Sequence, residues 1–319
     1  MKKLEKRRTD GEATPSEVVR NTLIQGQLLM IEALSSDISL ELWLAEHKAT
    51  VESRLFEKGA ILFRNFAVHN LVEFGNVVKL FAPSAMEYDY ASTPRRELQD
   101  RIYTSTEYPA DQEILMHNEM SYTTRWPSKV FFYCVHPSTE GGETPLVDSR
   151  KMYQDISPHI RDMFEKKGVV YVRNYTDLLD LPWQKVFRTN SRKDVETFCN
   201  SHGIEFRWEG DELCTRERAQ ISLVHQITAE KVWFNQAHLF HKSNFWLDSD
   251  NQIKVPRDVH FADDSEIPTS FIQEINRIYN ANKIIFSWQK NDLLLVDNFL
   301  MAHGRHPFKG ERRIAVSLC

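Results

Sequence analysis

His117, Asn118 and Glu119, with His303 far downstream and Arg312 and Arg313 just beyond it, are residue types that can do chemistry at a spacing that allows it. In an extended strand, residues two apart share a face, so His117 and Glu119 could hold one cation between them while Asn118 points the other way. A third donor at His303 completes a face of two nitrogens and one carboxylate oxygen. Such a face leaves positions open on a ferrous ion for a chelating cosubstrate and for dioxygen, and the chemistry it predicts is oxidation. The spacing alone is weak support: 12 His and 45 acidic residues in 319 supply about two His-x-Asp/Glu pairs by chance. The weight lies in the order of the parts: His-x-Glu, a Gly-Gly-Glu-Thr turn at Gly141 to Thr144, a late His, then two arginines.

The elements that must position these residues are mostly strands. Apolar, β-branched and aromatic runs at Val130 to Val135, Val169 to Asn174, Ile284 to Trp288, Leu293 to Asn298 and Arg313 to Leu318 read as strands bounded by Gly, Pro and Asp turns. Ahead of them, Ser39 can cap a helix that Gly59 stops, Ala60 to Phe66 reads as a buried strand, and Val72 to Phe81 reads as an amphipathic helix. Helical patches recur at Val195 to His202 and Phe271 to Asn280. The fold expected is mainly β with flanking helices, a two-sheet jelly roll. Residues 1–18 read as a flexible tail, and 19–319 as one domain with a helical N-terminal flank, a jelly-roll core and a helical insert at about 190–280.

His303 leaves the apolar run LLLVDNFLMA, where an imidazole is either hydrogen-bonded core or a ligand. Arg312 and Arg313 precede an alternating strand, so they face opposite sides and one can point inward. An inward guanidinium needs a partner, either a structural carboxylate or the distal carboxylate of a dicarboxylate cosubstrate. The Thr144 hydroxyl could bond the same group. Composition excludes other classes. A hydrophobic share of 41%, a charged share of 27% and a net charge of -5 give no basic surface for nucleic acid or anionic membrane, and no run approaches a membrane span. With no signal-like h-region and four cysteines in no paired spacing, a cytoplasmic protein with reduced thiols is expected.

The longer motifs are more specific. YTSTEYP, HNEMSY, RWP and GGETPLVDSR within Tyr103 to Arg150, VWFNQAHLFH at Val232 to His241 and AHGRHPFKGERRI at Ala302 to Ile314 resemble the TauD/TfdA family of iron- and 2-oxoglutarate-dependent oxygenases. Within that family they look most like the subgroup near the syringomycin-biosynthesis aspartyl hydroxylase. The resemblance runs from about Gly59 to the last residues. It implies a double-stranded β-helix of the cupin-like, clavaminate synthase-like kind, with Fe(II) held by His117, Glu119 and His303. The distal carboxylate of 2-oxoglutarate would then be held by Arg313 and Thr144, with Arg312 the lesser candidate. Dioxygen and 2-oxoglutarate would be consumed, succinate and carbon dioxide released, and an unactivated C–H bond oxidised.

Two departures narrow this expectation. Glu119 stands where the wider family more often has aspartate, a variant shared with oxygenases resembling clavaminate synthase and amino-acid β-hydroxylases, which favours an amino-acid substrate. Its carboxylate would also occupy the position that halogenating relatives leave to chloride. Ser317 stands where taurine oxygenases carry the arginine that anchors a sulfonate, which disfavours taurine. The expected function is hydroxylation of an amino acid, free or tethered to a peptidyl carrier protein in natural-product biosynthesis. Desaturation, cyclisation or epoxidation are alternative outcomes, and a zinc hydrolase or a noncatalytic binding module are remoter ones. Asn118, Asn235 and Arg305 are candidate substrate contacts, with Gln236 beside them. His225, His238 and His241 are expected to be structural or to orient the ligands, and Trp288 to be core.

Overall fold

Ser39 accepts the Leu42 N–H at the start of the helix Leu40–Lys58, and Gly59 ends it in the left-handed region at φ 74°. The chain then enters the strand Ala60–Arg64 and, after Asn70 caps it, the helix Leu71–Phe81. These elements belong to a computed structural model that describes residues 18–82, 95–106, 108–175, 181–245 and 255–319. The expected tail, 1–18, lies outside the described residues except for Val18.

Eight strands form the larger sheet, in which Leu293–Asp297 lies between Ala60–Arg64 and Lys129–His136, and Arg313–Leu318 follows on the far side of Lys129–His136. Two strands that the sequence reading passed over, Val19–Ile24 and Leu28–Ala33, form a hairpin at one edge of this sheet. Opposite it lies a three-stranded sheet with Met301–Arg305 in the centre, Ile114–His117 on one side and Leu146–Asp148 on the other. Between the sheets is an apolar layer that includes Leu62, Phe132, Leu146, Trp288, Leu294, Met301, Ile314 and Val316. This is the jelly-roll sandwich, mainly β with helices outside. The helices Leu40–Lys58 and Leu71–Phe81 cover the other face of the larger sheet through Leu44, Leu55, Phe74 and Val77 packed on Phe63, Phe131, Leu295 and Ala315. The larger sheet is therefore buried on both faces.

Two sequence expectations change. Ile284 to Trp288 is extended but joins no ladder beyond a single bridge from Ile284 to Leu146, because its side chains Phe286 and Trp288 plug the sandwich instead. The segment at about 190–280 is mixed rather than helical. It carries the helices Arg192–Ser201 and Thr269–Ala281, but also three strands, Glu205–Glu209, Glu212–Ala219 and Arg257–Phe261, that build a sheet on Val169–Tyr175. No helix among the described residues is long and apolar enough to cross a membrane.

Candidate metal centre and cosubstrate pocket

His117 ends its strand directly opposite His303, with the two ring centroids 4.6 Å apart. Gly304 allows this closeness: a Cβ there would stand 2.7 Å from the Ile114 carbonyl oxygen on the neighbouring strand. Glu119 follows in a turn rather than in the strand itself, with Met120 in the left-handed region at φ 57°. One ligand atom from each of His117, Glu119 and His303 lies within 4.8 Å of the others. The turn is held by Asn298, whose side-chain oxygen accepts the Glu119 N–H at 2.7 Å while its amide donates to the carbonyls of Glu119 and Pro127 at 3.0 and 2.8 Å.

The electrostatics suit a divalent cation. His117 donates Nδ1–H to the Leu115 carbonyl at 2.8 Å, which leaves Nε2 with its lone pair available to a metal. Burial, and His303 beside it, push the His117 imidazole down to about 4, so it is neutral at neutral pH. Burial raises the Glu119 carboxyl, but Arg95 and the two imidazoles outweigh it and hold the group well below the usual carboxylate range. Arg95 donates to Glu119 Oε2 at 2.7 Å with both side chains almost fully buried. His303 Nδ1 is buried with no hydrogen-bond partner among the described residues. Two imidazoles and one carboxylate are a donor set that fits Fe(II) and leaves coordination positions open.

The arginines separate as parity requires, and the one that turns inward is Arg312 rather than Arg313. Arg313 points out, its side chain 60% exposed and paired with Glu311 at 2.7 Å. Arg312 turns inward, on the side of Ile314, Val316 and Leu318, where Nε donates to the Gly142 carbonyl at 2.9 Å and Nη2 lies 3.5 Å from Thr144 Oγ1. No carboxylate among the described residues pairs with it. Burial, then Arg305 nearby, pushes the Arg312 guanidinium down to about 10. Gly142, at φ 71°, makes room: a Cβ there would meet Ser138 Oγ at 2.5 Å and Arg312 Cδ at 2.9 Å. Thr144 also accepts the Trp288 indole N–H at 3.1 Å, so Trp288 is core with a polar task. With that bond and the Arg312 approach aimed at its oxygen, the Thr144 hydroxyl keeps its own proton to donate to an anion.

A family model described as taurine catabolism dioxygenase TauD, TfdA family, matches residues 25–319. The chain belongs to the TauD/TfdA family. It is an Fe(II)- and 2-oxoglutarate-dependent oxygenase. The dapdiamide synthesis protein DdaC of Enterobacter agglomerans is 34% identical over 297 residues, covering 91% of this chain and 90% of DdaC. A clavaminate synthase-like protein of Arabidopsis thaliana is 31% identical, covering 85% and 84%. Among solved structures, PvcB, an Fe, alpha-ketoglutarate dependent oxygenase from an isonitrile synthetic pathway, shares the fold with a TM-score of 0.56 at 14% identity over 96% of this chain and 93% of PvcB. AAD-2, solved with Mn(II) and N-oxalylglycine, shares it at 0.55 and 11% identity over 94% and 96%.

Within this TauD/TfdA framework each expected substrate contact has hydrogen bonds inside the fold. Asn118 is fully buried and donates to Ser149 Oγ and the Asn298 carbonyl, so it braces the turn that carries Glu119. Asn235 donates to the Ile221 carbonyl and caps Ala237, while Gln236 donates to the Asn118 carbonyl. Arg305 spends its guanidinium on the carbonyls of Tyr108, Pro109 and Gln112, pinning the loop that leads into the His117 strand. These polar groups are buried, and most of their donors are used on backbone carbonyls, while Asn118 Oδ1 and Arg305 Nε have no hydrogen-bond partner among the described residues. Ser317 also faces away from the metal side, its hydroxyl donating to the Arg101 carbonyl beside a surface hollow lined by Lys79 and Asn76. His238 donates Nε2–H to the Met116 carbonyl next to His117, His225 meets Asp297 at 3.3 Å, and His241 bonds Ile267 and Ser243. Two participants had no signal in the sequence: Arg95, which sits in a polar stretch, and Asn298, which ends an apolar run.

Proposed function

We propose that this oxygenase hydroxylates an unactivated C–H bond of an amino acid, free or carried as an aminoacyl group on a peptidyl carrier protein, in natural-product biosynthesis. In this reading His117, Glu119 and His303 hold the iron. Arg312 with Thr144, not Arg313, grips the distal carboxylate of 2-oxoglutarate. The observation that carries it is an inward cation, Arg312, that lacks a carboxylate partner among the described residues and lies against Thr144, in the same sandwich as three converging metal donors. A buried guanidinium of this kind is costly until an anion arrives, and a dicarboxylate supplies one. The biosynthetic setting rests on the likeness to DdaC, a dapdiamide synthesis protein.

Iron with dioxygen supplies the oxidation, with 2-oxoglutarate leaving as succinate and carbon dioxide. The protein's part is positioning. Asn298 fixes the backbone of Glu119, the Leu115 carbonyl fixes the His117 ring, and Phe132, edge-on to His303 at 5.1 Å, keeps that side apolar. Trp288 and Arg312 both direct N–H groups at Thr144 Oγ1, so the Thr144 hydroxyl would have its own proton to donate to a cosubstrate carboxylate. Aerobic incubation with iron, 2-oxoglutarate and a panel of free amino acids and carrier-loaded thioesters, read by mass spectrometry, tests the proposal. One product heavier by one oxygen is expected. A product lighter by two hydrogens would replace hydroxylation by desaturation, and no amino-acid product with succinate still formed on another substrate class would remove the amino-acid reading.

A further inference from the structure

The larger sheet ends at Val19–Ile24 on one side and at Glu97–Gln99 on the other. The second of these edges is only three residues long. The first is six residues long, pairs in unbroken register with Leu28–Ala33, and contains neither proline nor bulge. Its single charge, Arg20, is already paired with Glu32. It is therefore an edge without the devices that keep other strands away. The Leu34 N–H donates to the Val18 carbonyl at 3.0 Å, so in the register Arg20 to Glu32, Thr22 to Met30 and Ile24 to Leu28 the even-numbered residues spend their backbone groups inward. The N–H and C=O groups of Val19, Asn21 and Leu23 face outward, where no described strand lies. Val19 packs with the helix-side apolar layer and Ile24 with the sandwich interior, so Asn21 and the 45% exposed Leu23 share the helix side with Val19.

A second copy of this strand fits the edge in one register better than in its neighbours. Antiparallel pairing must set outward groups opposite outward groups. Centred on Arg20, it would place two guanidiniums face to face, which is unfavourable. Centred on Thr22, it would set Val19 opposite Gln25, which lies in the turn at φ 50°. Centred on Asn21, it sets Val19 opposite Leu23 twice, Arg20 opposite Thr22 twice, and forms about six backbone hydrogen bonds. Helix Leu40–Lys58 packs over Ala60–Arg64, two strands in from the edge. That is about 10 Å away, and a helix of about 5 to 6 Å radius leaves the edge clear. We infer that Val19–Ile24 is a self-association edge, on which two copies of this chain pair about a two-fold axis at Asn21 and join their eight-stranded sheets into one. Two such strands are each about 20 Å long, so the contact lies at or below the lower size limit of stable interfaces, roughly 1,200 Å². The dimer is accordingly reversible, with a dissociation constant on the order of 10 to 100 μM.

Sedimentation of the full chain from about 1 to 300 μM, a range that brackets this constant, should show a monomer–dimer equilibrium. Asn21→Pro deletes an outward N–H without touching the inward ladder, and should give a monomer at every concentration with its melting temperature nearly unchanged. Thr22→Glu and Thr22→Arg act on the two contacts with Arg20 of the second copy. They should tighten and weaken the dimer respectively, each by about 2- to 30-fold. A wild-type chain that stays monomeric throughout overturns the inference. So does a dimer that survives Asn21→Pro, or one that the two Thr22 variants shift in the same direction or not at all. Hydrogen exchange supplies the remaining check: protection of the Val19, Asn21 and Leu23 amides should grow with protein concentration. Full protection in the monomer would put another segment of the same chain on this edge and overturn the inference as well.

Discussion

Replacing Arg312 by Met should severely weaken 2-oxoglutarate binding without destabilising the protein, whereas replacing Arg313 by Ala should leave both binding and stability nearly unchanged. Arg312 is turned inward with hydrogen bonds to Gly142 and an approach to Thr144. Truncating one partner of a buried, hydrogen-bonded charge pair costs about 2 to 5 kcal/mol, so the dissociation constant for 2-oxoglutarate should rise by about 30-fold to a few thousand-fold. Before the cosubstrate binds, the same guanidinium is a buried cation held below its ordinary pKa, and a depressed cation subtracts from stability. The melting temperature without 2-oxoglutarate should therefore stay level or rise, while the increase on adding it should disappear. Arg313 makes only an exposed pair with Glu311, worth about 0 to 1 kcal/mol, and its loss should shift 2-oxoglutarate affinity by less than about threefold. Calorimetry and thermal melts of the Mn(II)-loaded protein read both quantities. Arg313→Ala weakening 2-oxoglutarate as much as Arg312→Met, or Arg312→Met leaving affinity near wild type, would refute the assignment.

His117→Ala should abolish ferrous-iron-dependent succinate formation and high-affinity Mn(II) binding together; retained metal affinity would take His117 out of the centre. Asn298→Ala removes three hydrogen bonds around Glu119 and Pro127, and metal affinity should drop about 10- to 100-fold with the circular-dichroism spectrum preserved. Metal binding unchanged in that variant would show that the turn holds itself. His238 is buried and pushed down to about 4 by burial, donating to Met116. An unfolded chain protonates this histidine first as pH falls below about 6.5. Stability of the metal-free protein should therefore fall between about pH 6.5 and pH 4, with His238 contributing on the order of 3 kcal/mol. His238→Gln should flatten that slope in urea melts across the window, and an unchanged slope would mean that His238 is already protonated in the fold.

Local code placed much of the framework. The Ser39 cap and Gly59 stop act within a few residues, and the helix forms between them as the sequence reads. Strands rich in Val, Leu and aromatic residues also appear where expected, at Lys129–His136, Val169–Tyr175 and Leu293–Asp297. Where pairing depends on distant partners, local reading slipped. Ile284 to Trp288 has strand composition but no strand beside it except at Ile284, and Val19–Ile24, which pairs with the apolar Leu28–Ala33, looks polar because it is a mostly exposed edge.

From its sequence alone, this protein had its donor types determined: His-x-Glu with a late His beside a glycine, a Gly-Gly-x-Thr turn, and arginines of opposite parity. Those follow from side-chain chemistry and from the two-residue repeat of a strand. Which arginine faces the metal side was decided only by tertiary structure. The sheet carrying them is buried on both faces, by the sandwich interior on one side and two helices on the other, so hydrophobic alternation could not say which face was which. A register shift between Arg313 and Ile314 then sets the turn of the chain there. Arg95 and Asn298 are further cases: they reach Glu119 from 24 and 179 residues away, and contacts over such separations exist only once the chain has closed on itself.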